Sequence, residues 1–402
     1  MDEANKLHGG IILKRVVVLV LFFLMISVQQ ADANVARTKG ERVPTFFITK
    51  QSAPVYDESG EVIGKVYSKQ DYFYESKSND CYYIEVENHL GCVPVNMTKR
   101  GSTMMIPEKL NRKGKMIYTT RRTDFTDKYG RLVYMSQVNR RHYAYKEDKK
   151  FYYVETGGRV ARVPKTHAAV DKGIPVLMYH HILKDRENKK YRTSSTISDV
   201  QFQKNVNILE EMGARTITMD ELYEFLQGKR NLGKNAVAIT FDDGLLSNLI
   251  YAYPLLQSHE MKATNFVITS RVMDRPQYFY ADNLQFISKE EMEWSQDVFH
   301  YEGHTHRLHD VSNGKSLVVQ QTMKSLKQDL ATAQEIVPQQ YFAYPFGQYN
   351  ETTKQVLKNM GYRLAFTTKT GYVKYGDDPY ALNRIGIEPK TTEKQFRQYL
   401  AY

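Results

Sequence analysis

An apolar run that ends in two adjacent carboxylates constrains the fold of this chain more than any other feature. Residues 236–239 (Ala-Val-Ala-Ile) lead into Thr-Phe-Asp-Asp-Gly at 240–244, which predicts a buried strand with Asp242 and Asp243 at its carboxyl end. Neighbouring side chains on a regular strand point to opposite faces, so both carboxylates serve one pocket only if the strand ends there, and Gly244 permits that bend. Sites of α/β folds are built at such strand ends. The competing interpretation is a solvated turn.

A histidine cluster further along the chain favours a site over a turn. Residues 302–310 read Glu-Gly-His-Thr-His-Arg-Leu-His-Asp. One carboxylate together with the imidazoles of His304 and His309 would provide the three protein ligands that a catalytic zinc typically takes. On a helix these two histidines would lie about 140° apart, so they converge only if the segment begins as a loop. The competing interpretation is a surface histidine patch that holds no metal.

Two further apolar segments end in residues that favour a binding or catalytic loop. Residues 341–350 read Tyr-Phe-Ala-Tyr-Pro-Phe-Gly-Gln-Tyr-Asn, which predicts a strand followed by a loop beside a pocket. Residues 175–182 read Pro-Val-Leu-Met-Tyr-His-His-Ile, an apolar strand that ends in His180 and His181. A single histidine after a strand is more often structural, but two in succession at a strand end favour a functional role.

Taken together, these segments resemble the polysaccharide deacetylase family, the NodB homology domain of carbohydrate esterase family 4. The resemblance covers residues 174–402 and implies an α/β fold, a distorted (β/α) barrel. Amphipathic helical patterns at 200–212 and 219–227, placed between predicted strands, favour the same architecture.

The resemblance also implies roles for individual residues. Asp242 is then the general base, and Asp243, His304 and His309 hold a divalent metal, which we expect to be zinc, with cobalt or nickel as alternatives. The segment Tyr344, Pro345 and Phe346 is expected at the substrate, where the backbone N–H of Phe346 stabilises the oxyanion.

Three departures from the usual family pattern indicate which branch of the family the chain resembles. The two metal-binding histidines are five residues apart rather than four, which resembles the poly-N-acetylglucosamine deacetylase branch and makes His306 a neighbour rather than a ligand. The arginine usually found ahead of the aromatic-Pro motif is replaced by Gln339 and Gln340. The late segment Leu-Asn-Arg at 382–384 lacks the usual catalytic histidine, so in this branch the general acid is expected to be His180.

The predicted reaction is hydrolysis of the acetamide of N-acetylglucosamine residues in a cell-envelope polymer, which releases acetate. Peptidoglycan and poly-N-acetylglucosamine both stay open as substrates. Adjacent Asp242 and Asp243 cannot face each other across a glycosidic bond, which excludes glycoside hydrolysis by this pair. The absence of His-Glu-x-x-His excludes that class of metalloprotease. The rival interpretation is a non-catalytic wall-binding protein with a decayed deacetylase domain.

The start of the chain predicts export. Basic residues precede an apolar run from Val16 to Val28, and Ala-Asp-Ala follows at 31–33, which together indicate a signal peptide over residues 1–33. The run is short of the roughly 20 residues that cross a bilayer, so no membrane span is expected after cleavage. We therefore expect a secreted, cell-wall-associated protein. Its net charge of +11 suits an anionic envelope, and export favours the envelope over nucleic acid as a partner.

Between the predicted signal and the catalytic region the sequence repeats itself. Tyr-Tyr-Ile-Glu at 82–85 recurs as Tyr-Tyr-Val-Glu at 152–155, and Val-Pro at 93–94 recurs at 163–164. Two small all-β domains, at 42–100 and 112–168, are predicted, with residues 165–173 as a linker. They resemble bacterial SH3-like domains, which implies binding to cell-wall material; a spacer is the alternative. Cys81 and Cys92 lie in the first copy, where a disulfide and two free thiols both stay open.

Overall fold

The computed structural model of the protein describes residues 46–87, 89–101 and 114–400. The predicted signal peptide, and the starts of both predicted β domains at 42–45 and 112–113, lie outside the described residues. Within the described ranges, every helix is too short or too polar to cross a bilayer.

The described residues between 46 and 170 form a β-rich region whose two halves repeat one order of strands. The first half contains β1 (Phe46–Thr49), β2 (Ala53–Tyr56), β3 (Val62–Val66), β4 (Asp71–Phe73), β5 (Ser76–Lys77), β6 (Cys81–Val86), β7 (His89–Pro94) and β8 (Thr98–Arg100). The second half contains β9 (Lys115–Thr119), β10 (Thr123–Thr126), β11 (Leu132–Ser136), β12 (Arg141–Glu147), β13 (Phe151–Thr156), β14 (Arg159–Pro164) and β15 (Ala168–Val170). The β6–β7 hairpin thus recurs as β13–β14 with the spacing seen in the sequence. The likeness of the repeats to SH3 domains stays a prediction.

The two halves share one sheet and one apolar core. Strand β11 pairs antiparallel with β3, so that Tyr134 lies opposite Val66, and a twelve-stranded sheet runs through both halves. The hydroxyl of Tyr72 in the first half donates to the carbonyl of Val133 in the second. Apolar side chains of both halves, such as Phe47 and Phe125, belong to one buried cluster. The repeats are therefore joined to each other by continuous packing.

Two predictions for this region are resolved by the structure. Cys81 and Cys92 are joined by a disulfide that ties β6 to β7. The predicted linker at 165–173 was wrong, because residues 168–170 form β15, which pairs antiparallel with β9. This segment completes the second repeat instead of separating it from the catalytic region.

A buried arginine joins the second repeat to the region that follows it in the chain. The guanidinium of Arg141 is fully buried and binds the carboxylate of Asp171. Its Nη1 also donates to the carbonyls of Leu232 and Gly233, at 2.7 and 2.6 Å. These contacts hold the repeats against the following region with charge-assisted hydrogen bonds.

Residues 174–400 form a closed parallel barrel, as the sequence predicted. Its strands and their neighbours are β16 (Val176–Tyr179), β17 (His181–Leu183), β18 (Thr196–Ser198), β19 (Arg215–Thr216), β20 (Ala236–Asp243), β21 (Ala263–Val267), β22 (Phe299–Gly303), β23 (Val311–Ser312), β24 (Lys315–Ser316), β25 (Tyr341–Ala343), β26 (Leu364–Thr370) and β27 (Leu382–Gly386). The ring follows the order β16, β20, β21, β22, β25, β26, β27 and closes where β27 pairs with β16. Strand β19 pairs with β20 outside the ring.

Helices lie between these strands. They are α1 (Asp199–Glu211), α2 (Met219–Leu226), α3 (Tyr253–Ser258), α4 (Lys289–Trp294), α5 (Met323–Ile336), α6 (Glu351–Asn359) and α7 (Glu393–Leu400). The first two confirm the helices predicted at 200–212 and 219–227. Helix α2 begins at a capping box, in which Thr218 accepts from the backbone of Glu221 and the Glu221 side chain accepts in return.

Alternation along β20 decides which side chains face the helices and which face the barrel interior. Val237, Ile239 and Phe241 belong to the buried cluster that includes Phe202 of α1. Ala238 instead shares a second cluster with side chains of β21, β26 and β27. Because strand side chains alternate, Asp242 points to the same side as Ala238, into the barrel at its carboxyl end.

Candidate active site

The turn after β20 separates the two carboxylates that the sequence places side by side. Asp242 is the last residue of the regular alternation and is buried inside the barrel. Asp243 has a φ of 76°, and Gly244 has a φ of 73°. These left-handed conformations are rare for residues with a side chain, and they break the alternation, so that both carboxylates lie at the same end of the barrel.

Asp243, His304 and His309 come together as the sequence predicted. One ligating atom of each lies within 4.8 Å of the others. Asp243 Oδ1 is 3.1 Å from His309 Nε2 and 3.5 Å from His304 Nε2. The two histidines converge because residues 304–310 leave β22 as a loop, in which Thr305 has a φ of 72°.

This donor set fits a divalent metal ion. Asp243 Oδ1 is buried and has no hydrogen bond of good geometry within the described residues. A carboxylate and two imidazoles at these separations match the ligands of a zinc-type site, which leaves a position open for water. His304 Nδ1 lies 2.7 Å from the carbonyl of Ala343. Donation to that oxygen leaves Nε2 unprotonated toward Asp243, the arrangement that metal-binding histidines usually have.

The electrostatics of the cluster suit a cation. Burial raises the pKa of Asp243, but the close contact from His309 and the charges of His180 and His304 outweigh it and hold this pKa well below its usual range. Burial, with the neighbouring His309, lowers the pKa of His304 to about 4. Near neutral pH the cluster is therefore one carboxylate beside a neutral, electron-donating imidazole.

Asp242 lies beside this cluster with different partners. Its two carboxylate oxygens each accept a hydrogen bond of 2.7 Å from the guanidinium of Arg384. Burial raises the pKa of Asp242, yet the charge and hydrogen bonds of Arg384 lower it below its ordinary value. His180 Nε2 is 3.8 Å from Asp242 Oδ2. A buried, ionised carboxylate and a partly exposed imidazole thus lie side by side, as expected for a base and an acid.

The loop after β25 contacts the cluster through one residue. Phe346 has a φ of 57° and is 45% exposed, and its ring centroid lies 4.8 Å from that of His309. Gly347 follows with a φ of 67°; a Cβ there would lie 2.2 Å from Thr368 Oγ1. Only glycine fits this close approach to β26, which fixes the shape of the loop.

The predicted placement of Tyr344 and Pro345 at the substrate was wrong for their side chains. Tyr344 is fully buried, its ring stacks on Tyr349, and its hydroxyl donates to the carbonyl of Tyr380. Pro345 is buried as well. Both residues support the loop from beneath, and of the three predicted side chains the exposed one is Phe346.

His306, predicted to be a neighbour rather than a ligand, lies outside the metal cluster. Its Nδ1 is 3.0 Å from Thr269 Oγ1. Its backbone N–H donates to Asp329 at 2.9 Å. The backbone contact with Asp329, which does not depend on the His306 side chain, positions the loop that carries His304 and His309.

Comparison with known proteins agrees with this geometry. Residues 229–365, which include both carboxylates and both histidines of the cluster, match the family described as polysaccharide deacetylase. This part of the chain is a polysaccharide deacetylase domain. It is accordingly a hydrolase that acts on carbon–nitrogen bonds.

Individual relatives cover the same part of the chain. YxkH of Bacillus subtilis (strain 168) is 29% identical over 230 residues, which are 56% of this chain and 76% of that protein. The poly-beta-1,6-N-acetyl-D-glucosamine N-deacetylase of Staphylococcus aureus (strain MSSA476) is 28% identical over 225 residues, 53% of this chain and 74% of the relative. The structure of IcaB from Ammonifex degensii is similar with a TM-score of 0.50 and 25% identity, over 57% of this chain and 98% of the other.

Arg384 contacts the site although the sequence pattern predicted no role for it. The predicted departure from the family concerned a different arginine, the one absent ahead of the aromatic-Pro motif. The structure shows that β27, which lies on the other side of β16 from β20, brings the Arg384 guanidinium to Asp242. A signal was present, since an arginine within Leu-Asn-Arg-Ile-Gly, a segment with the pattern of a buried strand, needs an anionic partner.

Proposed function

We propose that this protein is a secreted, metal-dependent deacetylase that removes acetyl groups from N-acetylglucosamine residues of a cell-envelope polymer. One observation carries the proposal: a three-ligand cluster of Asp243, His304 and His309 lies beside a buried base, Asp242, and an accessible histidine, His180. This combination suits hydrolysis of an amide, which needs an activated water and a protonated leaving group.

Asp243, His304 and His309 would hold the metal. When bound, it supplies positive charge that polarises the acetamide carbonyl and lowers the pKa of water. The carboxylate of Asp242 takes the proton from the attacking water. Arg384 keeps that carboxylate ionised and fixes its orientation through two hydrogen bonds, so no rearrangement of the base is needed during the reaction.

His180 gives a proton to the departing amine. An amine leaves poorly unless it is protonated, and the His180 imidazole is partly open to solvent beside Asp242. The backbone N–H of Phe346 stabilises the oxyanion. Support comes from the side chain of the same residue, whose ring contacts that of His309. The products are acetate and a glucosamine residue that stays in the chain.

The proposed substrate is a polymer of N-acetylglucosamine. The relative from Staphylococcus aureus bears the name of an enzyme that acts on the β-1,6-linked polymer, which makes that polymer the first to test and peptidoglycan the second. Export rests on the predicted signal peptide at 1–33, and wall association rests on the two predicted SH3-like repeats. Fractionation of the producing cells, followed by detection of the mature chain, tests both.

Acetate release tests the proposed activity. The purified protein, supplied with Zn²⁺, is incubated in parallel with poly-β-1,6-N-acetylglucosamine oligomers and with peptidoglycan, and Asp242→Asn serves as the control. Acetate from one polymer, absent with Asp242→Asn, would establish the enzyme and its substrate. Bound metal without acetate from either polymer would contradict the proposal and favour the non-catalytic wall-binding alternative.

A further inference from the structure

We propose that Tyr278 and Tyr280 form a platform that binds sugar residues next to the residue being deacetylated. We call these two side chains the tyrosine platform. The inference rests on the proposed function, because it assigns the platform to the same polymer.

The loop that carries the platform is attached to the catalytic turn. Residues 272–287 follow the carboxyl end of β21, the end of the barrel at which Asp243 lies. The backbone N–H of Ile287 donates to the carbonyl of Gly244 at 3.0 Å, and that of Leu246 donates to the carbonyl of Gln285 at 2.9 Å. The loop therefore lies directly against the turn that positions the metal ligand.

The same loop also contacts the segment that carries the proposed acid. The carbonyl of Asp282 accepts from Lys190 Nζ at 3.1 Å and from the hydroxyl of Tyr191 at 3.3 Å. The ring of Tyr191 contacts His181 edge-on, with centroids 5.2 Å apart, and His181 is adjacent to His180. The loop thus bridges the two segments from which the metal ligand and the acid project.

Both rings of the platform are open to solvent although their backbone is fixed. Tyr278 is 87% exposed and Tyr280 is 60% exposed. The side-chain amide of Gln285 accepts from the N–H of Tyr280 at 2.6 Å and donates to the carbonyl of Tyr278 at 2.8 Å. Exposed aromatic surface on a backbone that is already ordered is typical of a binding site, since binding then costs little conformational entropy.

The chemistry of the loop suits a sugar chain. A pyranose ring has apolar C–H faces that pack on aromatic rings, while its hydroxyls need hydrogen-bond partners. Phe346, next to His309, provides a further exposed ring at the cluster itself. A polymer would extend from Phe346 at the reacting residue to the platform beyond it.

Chain-length dependence of the kinetics tests the inference. The probes are β-1,6-linked N-acetylglucosamine dimers and hexamers, and the variants are Tyr278→Ala/Tyr280→Ala and Tyr278→Phe/Tyr280→Phe. For the alanine variant we expect KM for the hexamer to rise about tenfold with kcat unchanged, and KM for the dimer to stay the same. The phenylalanine variant keeps the rings and should behave as wild type. Trp294→Ala, which removes a half-exposed ring on the helix before the amino end of β22, is the matched control.

The outcomes separate this inference from the proposed function. If acetate is released but the alanine variant has the same KM for the hexamer as wild type, the platform is overturned and the proposed activity stands. If no acetate is released, binding of the hexamer is measured by calorimetry instead. If the phenylalanine variant binds the hexamer and the alanine variant does not, the platform is supported although the proposed activity fails. If all variants bind the hexamer equally, the platform is overturned.

Discussion

The carboxylate of Asp242 accepts one 2.7 Å hydrogen bond from each terminal nitrogen of the Arg384 guanidinium, and both side chains are buried. The pair joins two strands that are far apart in the sequence but lie on either side of β16 in the closed ring. A buried carboxylate would otherwise take up a proton, so Arg384 is what keeps Asp242 ionised.

Replacement of Arg384 should therefore change the pH dependence of catalysis. Burial raises the pKa of Asp242 and Arg384 lowers it; Arg384→Met removes the lowering by Arg384, so this pKa rises. The base then becomes ionised only at higher pH, so the acidic limb of kcat/KM moves upward in pH, and kcat/KM near neutrality falls by roughly 10²–10³. The measurement is kcat/KM against pH at constant metal content. An acidic limb that stays in place would show that Asp242 is not the base.

Loss of Asp243 should release the metal. Asp243→Ala removes the one anionic ligand of the cluster, and we expect metal content, measured by mass spectrometry after dialysis, to fall by more than tenfold. Asp242→Asn, which changes the neighbouring carboxylate without touching the cluster, should keep its metal while losing activity. Equal metal content in both variants would remove Asp243 from the ligand set.

His180→Ala should keep its metal and lose most of its turnover. The general acid typically contributes 10²–10⁴ in rate, so kcat on acetamide substrates should fall by about that factor. His306→Ala is the matched control, since His306 contacts Thr269 and not the cluster; it should retain most activity. Activity of His180→Ala close to that of wild type would assign the acid to another group.

Arg141→Ala should destabilise the protein strongly. The substitution leaves the carboxylate of Asp171 and two backbone carbonyls buried without their partner, which costs about 3–5 kcal/mol of unfolding free energy. The control is Arg397→Ala, which breaks an exposed pair with Glu211 and should cost less than about 1 kcal/mol. Chemical denaturation of both variants measures the difference; equal losses would mean that the buried pair does not hold the junction.

The stability of the repeats should fall in mild acid. Burial and then the charge of Arg140 lower the pKa of His142 to about 3. Below pH 6.5 the unfolded chain binds a proton that folded His142 excludes, so the unfolding free energy falls with pH, by up to about 1.4 kcal/mol per pH unit, until the folded pKa is reached. His142→Gln removes this contribution. Between pH 7 and pH 5 the unfolding free energy of His142→Gln, measured by denaturation, should fall less steeply with pH than that of wild type. Identical pH dependence would refute the contribution assigned to His142.

The sequence predicts most of the site because its residues lie at strand ends. Asp242 and Asp243 follow an apolar run, and His304 and His309 follow a short strand. Their convergence follows from the parallel order of neighbouring strands and from the turn and loop with which these strands end. Arg384 could not be placed in this way, because its contact with Asp242 exists only once the ring closes. Tyr344 was misjudged for a different reason: aromatic residues suit both a core and a sugar site, and composition does not distinguish them.

For the repeats, too, the sequence predicts the local arrangement but not the packing. The duplicated pattern predicts two copies of one β arrangement, because turn and strand residues recur at one offset. It contains no information on how the copies pack, so the shared sheet and the role of residues 168–170 as its last strand, β15, became visible only in the structure.

The Arg141 junction has a consequence for how a long polymer would be modified. A catalytic domain on a loose tether samples many distances from its anchoring module, and its products are scattered at random along the chain. Here the guanidinium locks the repeats and the barrel into one body. If the repeats bind the polysaccharide, as proposed, the distance along the polymer between the bound segment and the metal cluster is fixed. That distance would set the spacing between the free amines of the product.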